Sequence, residues 1–82
     1  MEIKFNYYLK IKKIMEKDSD VFKIDKPTSI KDILDNNLEQ DKLNMIDLSE
    51  LMIVSNGKNI EDLNTLVDVD TVFSICPKIY GG

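Results

Sequence analysis

Histidine and tryptophan are missing from this chain of 82 residues, cysteine occurs once, as Cys76, and all eleven basic residues are lysines. Without histidine, and with a single thiol, neither a nucleophilic triad nor a zinc site can be assembled. One cysteine makes no internal disulfide, so the expected compartment is the reducing cytoplasm. The absence of arginine removes the bidentate guanidinium fork that reads phosphates and base edges, which argues against a nucleic-acid partner. Fifteen acids give a formal net charge of -4, and an acidic surface favours basic protein partners. The opening MEIKFNYYLKIKKI is too interrupted by lysine for a secretory leader. No apolar run approaches the roughly 18 residues that a membrane-spanning helix needs. A chain this short buries only about 60–65% of its unfolded surface, which leaves little room for a deep enzyme cleft. One domain over residues 1–82 is expected, with a flexible tail starting near Lys78.

What the chain does have is clear periodicity. Ile3, Phe5, Tyr7 and Leu9 alternate with Lys4, Asn6, Tyr8 and Lys10, the pattern of a strand with one buried face. The period then changes: Ile11, Ile14 and Met15 share one helical face, which predicts a short helix, with a continued hairpin as the alternative. Asp18-Ser19-Asp20 reads as a turn, and Val21, Phe22 and Ile24 as a second strand closed by Pro27. In TSIKDILDNNL, Ser29 is placed to cap a helix with Asp32 in the acidic position of a capping box, and Ile30, Ile33, Leu34 and Leu38 fall on one face. That main helix should cover roughly residues 30 to 40. Residues 41–49 carry no pattern that assigns them.

Leu51 to Val54 form an apolar run followed by Asn56-Gly57, a pair suited to the positive φ angles of a type I′ hairpin turn, with a return strand over Lys58 to Ile60. The segment TVFSICP reads as a last strand ended by Pro77. The fold class is therefore α+β: a mixed sheet of roughly four to five strands on one long helix, the β-grasp or ubiquitin-like arrangement, with the last strand leading into a free tail.

The opening strand with its amphipathic turn, the hairpin VSNGKNI, the acidic turn Leu66 to Val72 and the tail PKIYGG together resemble the MoaD/ThiS family of ubiquitin-like sulfur carriers, over essentially the whole chain. Leu9, Ile11, Ile14 and Met15 resemble the turn after the first strand of the molybdopterin synthase small subunit more than anything in the thiamine-pathway carrier. Two features depart from the pattern. Val69 stands where glycine usually separates the two acids, so the turn must avoid positive φ. Between that acidic pair and the terminal glycines there is also one residue more than usual, which a bulge in the last strand would absorb, leaving the facing of Phe73 to Cys76 open.

The resemblance implies that Gly82 is the reactive residue. Its carboxylate would be adenylated by a ubiquitin-activating-type enzyme that consumes the ATP, with no cofactor bound by this chain, and a persulfide donor would convert it to a thiocarboxylate. A larger synthase subunit, or another acceptor enzyme, would take the sulfur. Gly81 thins the tail, and Tyr80, Ile79, Lys78 and Pro77 are the expected partner-binding residues, together with an exposed apolar face of the sheet. Two other classes share this sequence: a modifier conjugated to proteins through Gly82, and a β-grasp module that only docks. Cys76 reads as a small apolar strand residue, and Asp68 with Asp70 as a solvated turn.

Overall fold

A computed structural model describes residues 1–78. The opening alternation forms strand β1, Glu2–Tyr7, with Ile3, Phe5 and Tyr7 buried. It stops at Leu9, whose φ of 54° turns the chain into helix α1, Leu9–Met15, which buries Ile11 and Met15. Glu16, at φ 61°, ends that helix, and the Lys42 ammonium donates to the Met15 carbonyl at 3.0 Å to close its C-terminus. Strand β2, Ser19–Lys23, starts within the expected turn and runs antiparallel to β1.

The chain then forms β3, Thr28–Ser29, and helix α2, Ile30–Asn37. The Ser29 hydroxyl accepts from the Asp32 amide at 3.1 Å, so the cap is where the sequence placed it. Ser29→Ala should lower unfolding stability by about 0.5–2 kcal/mol, whereas Ile33→Ala, which empties a fully buried site on the same helix, should lower it by about 2–5 kcal/mol. Urea midpoints ranking the two the other way round contradict this placement of the helix. The helix is shorter than expected. The Asn37 side-chain amide donates back to the Ile33 carbonyl at 2.9 Å, and Leu38 turns extended at ψ 149°. Leu38 nevertheless stays buried.

The segment without a sequence pattern contains the short helix α3, Gln40–Leu43, and a single 3-10 turn at Leu48–Glu50. In that turn Asp47 accepts from the Ser49 amide and hydroxyl. Strand β4, Leu51–Ser55, follows, then β5, Lys58–Asn59, β6, Leu66–Val67, and β7, Thr71–Pro77. Asn56 and Gly57 take φ values of 53° and 76°, as a type I′ turn requires. The return strand stops at Asn59, although the Ile60 amide still donates to the Ile53 carbonyl.

The main sheet has five strands in the order β2-β1-β7-β4-β5, mixed because β1 and β7 are parallel. A separate pair, β3 and β6, was not anticipated; a ladder this short is below the length at which alternation shows. No bulge interrupts β7, which pairs continuously from Ile3↔Thr71 to Tyr7↔Ile75 on one side and from Leu51↔Pro77 to Val54↔Ser74 on the other. Phe73 and Ile75 therefore point into the core, and Ser74 and Cys76 away from it. Between sheet and α2 lies one apolar cluster centred on Phe5, which meets Phe22 and Phe73 edge-on at centroid distances of 5.3 and 5.7 Å.

Candidate functional site

Strand β7 lies between β1 and β4 and carries the chain to its last described residues. Pro77 is partly buried opposite Leu51, and Lys78 is exposed, its amide held by the Glu50 carbonyl at 2.8 Å. The exit of the strand is thus tied to the 3-10 turn, whose Asp47 carboxyl is held below its ordinary range chiefly by the Ser49 hydroxyl. Ile79, Tyr80, Gly81 and Gly82 lie outside the described residues.

The sheet has one face on α2, and among the described residues no element covers the other. Strict alternation places Lys4, Asn6, Val21, Met52, Val54, Val72, Ser74 and Cys76 on that open face. Cross-strand register orders them into rows: Val21, Lys4 and Val72 at one end, then Asn6, Ser74 and Val54, then Cys76 with Met52 nearest the exit of β7. Tyr8 follows β1 and donates its amide to the Ile75 carbonyl at 3.0 Å, with its side chain half-exposed. Leu9 stands beside it, 65% exposed. The open face therefore mixes five apolar side chains, Val21, Met52, Val54, Val72 and Cys76, with the polar Lys4, Asn6 and Ser74. Their signal was available in the outward phase of β4 and β7, once the phase of β7 was known.

This face is poor in charge. Of the fifteen acids only Glu2 sits on it, opposite Lys23, and Lys4 is its one central charge. The acidic excess belongs to the helices and loops, so the net charge is a poor guide to what this face meets.

The remaining candidates resolve into structural roles. Asp70 accepts from the Glu2 amide at 2.7 Å and so pins the start of β1, while the Thr71 hydroxyl donates to the Val69 carbonyl. Val69 is not among the residues with positive φ, so the acidic turn takes the other form expected of it. The Cys76 thiol is pushed up by burial and rests 3.6 Å from the Met52 carbonyl, the setting of an apolar strand residue. Tyr7 is buried and donates its hydroxyl to Asp20 at 2.8 Å; burial, and then Asp20, push the phenol far above its ordinary value. Among the described residues no group of three acids or thiols could hold a metal ion, and no helix is long and apolar enough to cross a membrane.

No family model matches the chain, and no curated protein matches it. Solved structures do. SAMP1, the small archaeal modifier protein 1 of Haloferax volcanii, superposes with a TM-score of 0.71 over 100% of both chains at 12% identity. The fold is the ubiquitin-like β-grasp. A second β-grasp neighbour, from the complex of subunits 1 and 2 of the molybdopterin-converting factor of Helicobacter pylori, reaches a TM-score of 0.68 over 100% of both chains at 21% identity. The HVO 2177 protein of Haloferax volcanii reaches 0.71, covering 100% of this chain and 87% of its own, at 18% identity. At such identities the likeness is one of fold, and in fold the sulfur-carrier resemblance read from the sequence holds.

Proposed function

We propose that this β-grasp protein is a sulfur carrier whose Gly82 carboxylate is the working group. The observation that carries the reading is the position of β7: it delivers Lys78 to the surface beside the charge-poor open face, immediately before Ile79-Tyr80-Gly81-Gly82. A partner seated on that face would have the tail within reach. A carboxylate is a poor electrophile, so an activating enzyme of the ubiquitin type joins it to the α-phosphate of ATP and releases pyrophosphate. A persulfide on the sulfur donor then displaces AMP, and a thiol of the same donor cleaves the acyl disulfide, leaving a disulfide on the donor and a thiocarboxylate on Gly82. Side chains at the last two positions would obstruct the narrow channel that such a partner needs. The chain itself contributes the handle and the docking face, with no bound cofactor. The acceptor is an enzyme subunit larger than this chain, with molybdopterin formation in the cytoplasm the favoured setting; support comes from the H. pylori neighbour, which is recorded in complex with its second subunit.

A second reading, conjugation of Gly82 to a lysine of another protein, is favoured by the likeness to an archaeal modifier. Intact mass after incubation with an activating enzyme, ATP and a persulfide donor separates the two. Exchange of one oxygen for sulfur is expected; an isopeptide-linked adduct in its place supports the modifier, and an unchanged mass with every activating enzyme tried opposes both.

Leu9 adds support from energetics. A bulky residue at φ 54° carries backbone strain of about 1–2 kcal/mol, and its side chain stays in solvent, so the fold gains little from it. Leu9→Asn, which suits the left-handed region and is polar, should leave the unfolding midpoint unchanged or raise it while weakening partner binding several-fold. Equal binding by the variant removes Leu9 from the docking face.

A further inference from the structure

The two edges of the main sheet are finished differently. On one side β5 is only Lys58–Asn59, and a short hairpin arm with an exposed lysine is a poor template for another strand. On the other side β2 runs through Ser19–Lys23 with no strand beyond it. The Tyr7 amide donates to the Asp18 carbonyl at 2.8 Å and the Ile24 amide to the Met1 carbonyl at 2.9 Å. Alternation therefore turns the backbone groups of Asp20 and Phe22 toward β1 and those of Ser19, Val21 and Lys23 outward. No loop or helix backbone bonds to these outward groups among the described residues.

The strand Ser19–Lys23 is complementary to itself when read backwards. Set antiparallel to a second copy about a two-fold axis at Val21, it places Val21 against Val21 and Ser19 against the second copy's Lys23. Every outward donor and acceptor of β2 then meets its complement. Asp20 faces the second copy's Phe22, so within the strand no like charges oppose one another. Neighbouring registers are worse. A shift of one pleat toward the N-terminus sets Asp20 against Asp20 and leaves Lys23 facing Lys17, outside the strand, and the opposite shift leaves Ser19 facing Asp25, also outside it. Val21, 53% exposed on the open face, would be covered by its own counterpart at the axis.

We propose that β2 is the contact through which two copies of this chain pair, joining their main sheets into one. The inference does not rest on the carrier reading. It is compatible with it, because β1 separates β2 from β7, the strand that leads to the tail. An edge contact of one strand is small, so the dimer is weak and concentration-dependent.

Sedimentation velocity of the full chain from about 10 μM to about 1 mM tests it. The weight-average coefficient should climb from the monomer toward the dimer value, and hydrogen exchange at the Ser19, Val21 and Lys23 amides should slow over the same range. Val21→Lys, which sets two ammonium groups face to face across the axis, should stay folded and monomeric, its unfolding midpoint lowered only slightly by Lys4 opposite it on β1. A wild-type monomer at the top of the range overturns the proposal, as does a Val21→Lys protein that still dimerises, or outward amides whose exchange is unmoved in the dimer. A β2 edge reserved for an extended segment of another protein would give the first of these results.

Discussion

A chain lengthened by a few residues beyond Gly82 should fold with an unchanged unfolding midpoint and lose adenylation altogether. The two halves of that expectation have separate causes. The core is made by Ile3, Phe5, Ile33, Leu34, Ile53, Phe73 and Ile75, all at most 2% exposed, and the last core residue of β7 precedes the tail. Nothing added after Gly82 touches that packing. Adenylation, by contrast, needs a carboxylate placed in line with the α-phosphate, and a misplacement of about 1 Å already costs on the order of a hundredfold in rate. An internal peptide bond at Gly82 has no carboxylate at all. ATP–pyrophosphate exchange, measured with the same activating enzyme for both chains, should fall to background for the lengthened one. Exchange at the native rate would remove Gly82 from the chemistry, and so remove the carrier and modifier readings together, leaving a β-grasp module that docks.

The second large effect is on stability. Phe5→Ala should destabilise the domain by about 3–5 kcal/mol, a large part of the roughly 5–15 kcal/mol that holds a small domain together. Phe5 is fully buried on the central side of β1, and its ring is gripped edge-on by Phe22 of β2 and Phe73 of β7. One truncation therefore leaves a void shared by three neighbouring strands, which cannot all close on it without breaking their registers. Chemical denaturation should show a lower midpoint with an unchanged slope. A shift smaller than that of Ser29→Ala would mean that the sheet repacks more freely than these contacts allow.

Much of this architecture was legible in the residues because local chemistry and final environment agree. β1 alternates because one of its faces is covered, α1 follows the spacing of Ile11, Ile14 and Met15, and Asn56-Gly57 turns as its φ preferences dictate. The misreadings occur where a side chain competes with the backbone or a pairing is too short to be periodic. Asn37 ends α2 early by bonding to the Ile33 carbonyl, and its sequence context of an apolar 3.6-residue rhythm continuing to Leu38 concealed this. The two-residue ladder of β3 with β6 leaves no rhythm to read. At the site, the terminal glycines and the apolar tail were legible as motifs, and the open face was legible as an expectation. Its membership was not, because it depends on the phase of β7, which the pairing with β1 and β4 decides. Nor could a net charge disclose that the acids lie mostly in loops and helices, away from the open face.

The position of β7 also bears on mechanics. A partner that holds the open face and draws the tail into a channel applies its pull along the axis of that strand. The hydrogen bonds to β1 and β4 run across this axis, one ladder on each side, so they resist together in shear and do not peel apart in succession. The parallel ladder to β1 further ties the pulled strand to the opposite end of the chain, so that the loaded element is anchored on both sides. A tail can then be stretched taut inside an enzyme while the domain outside stays folded, which makes the same strand both the tether and its mooring.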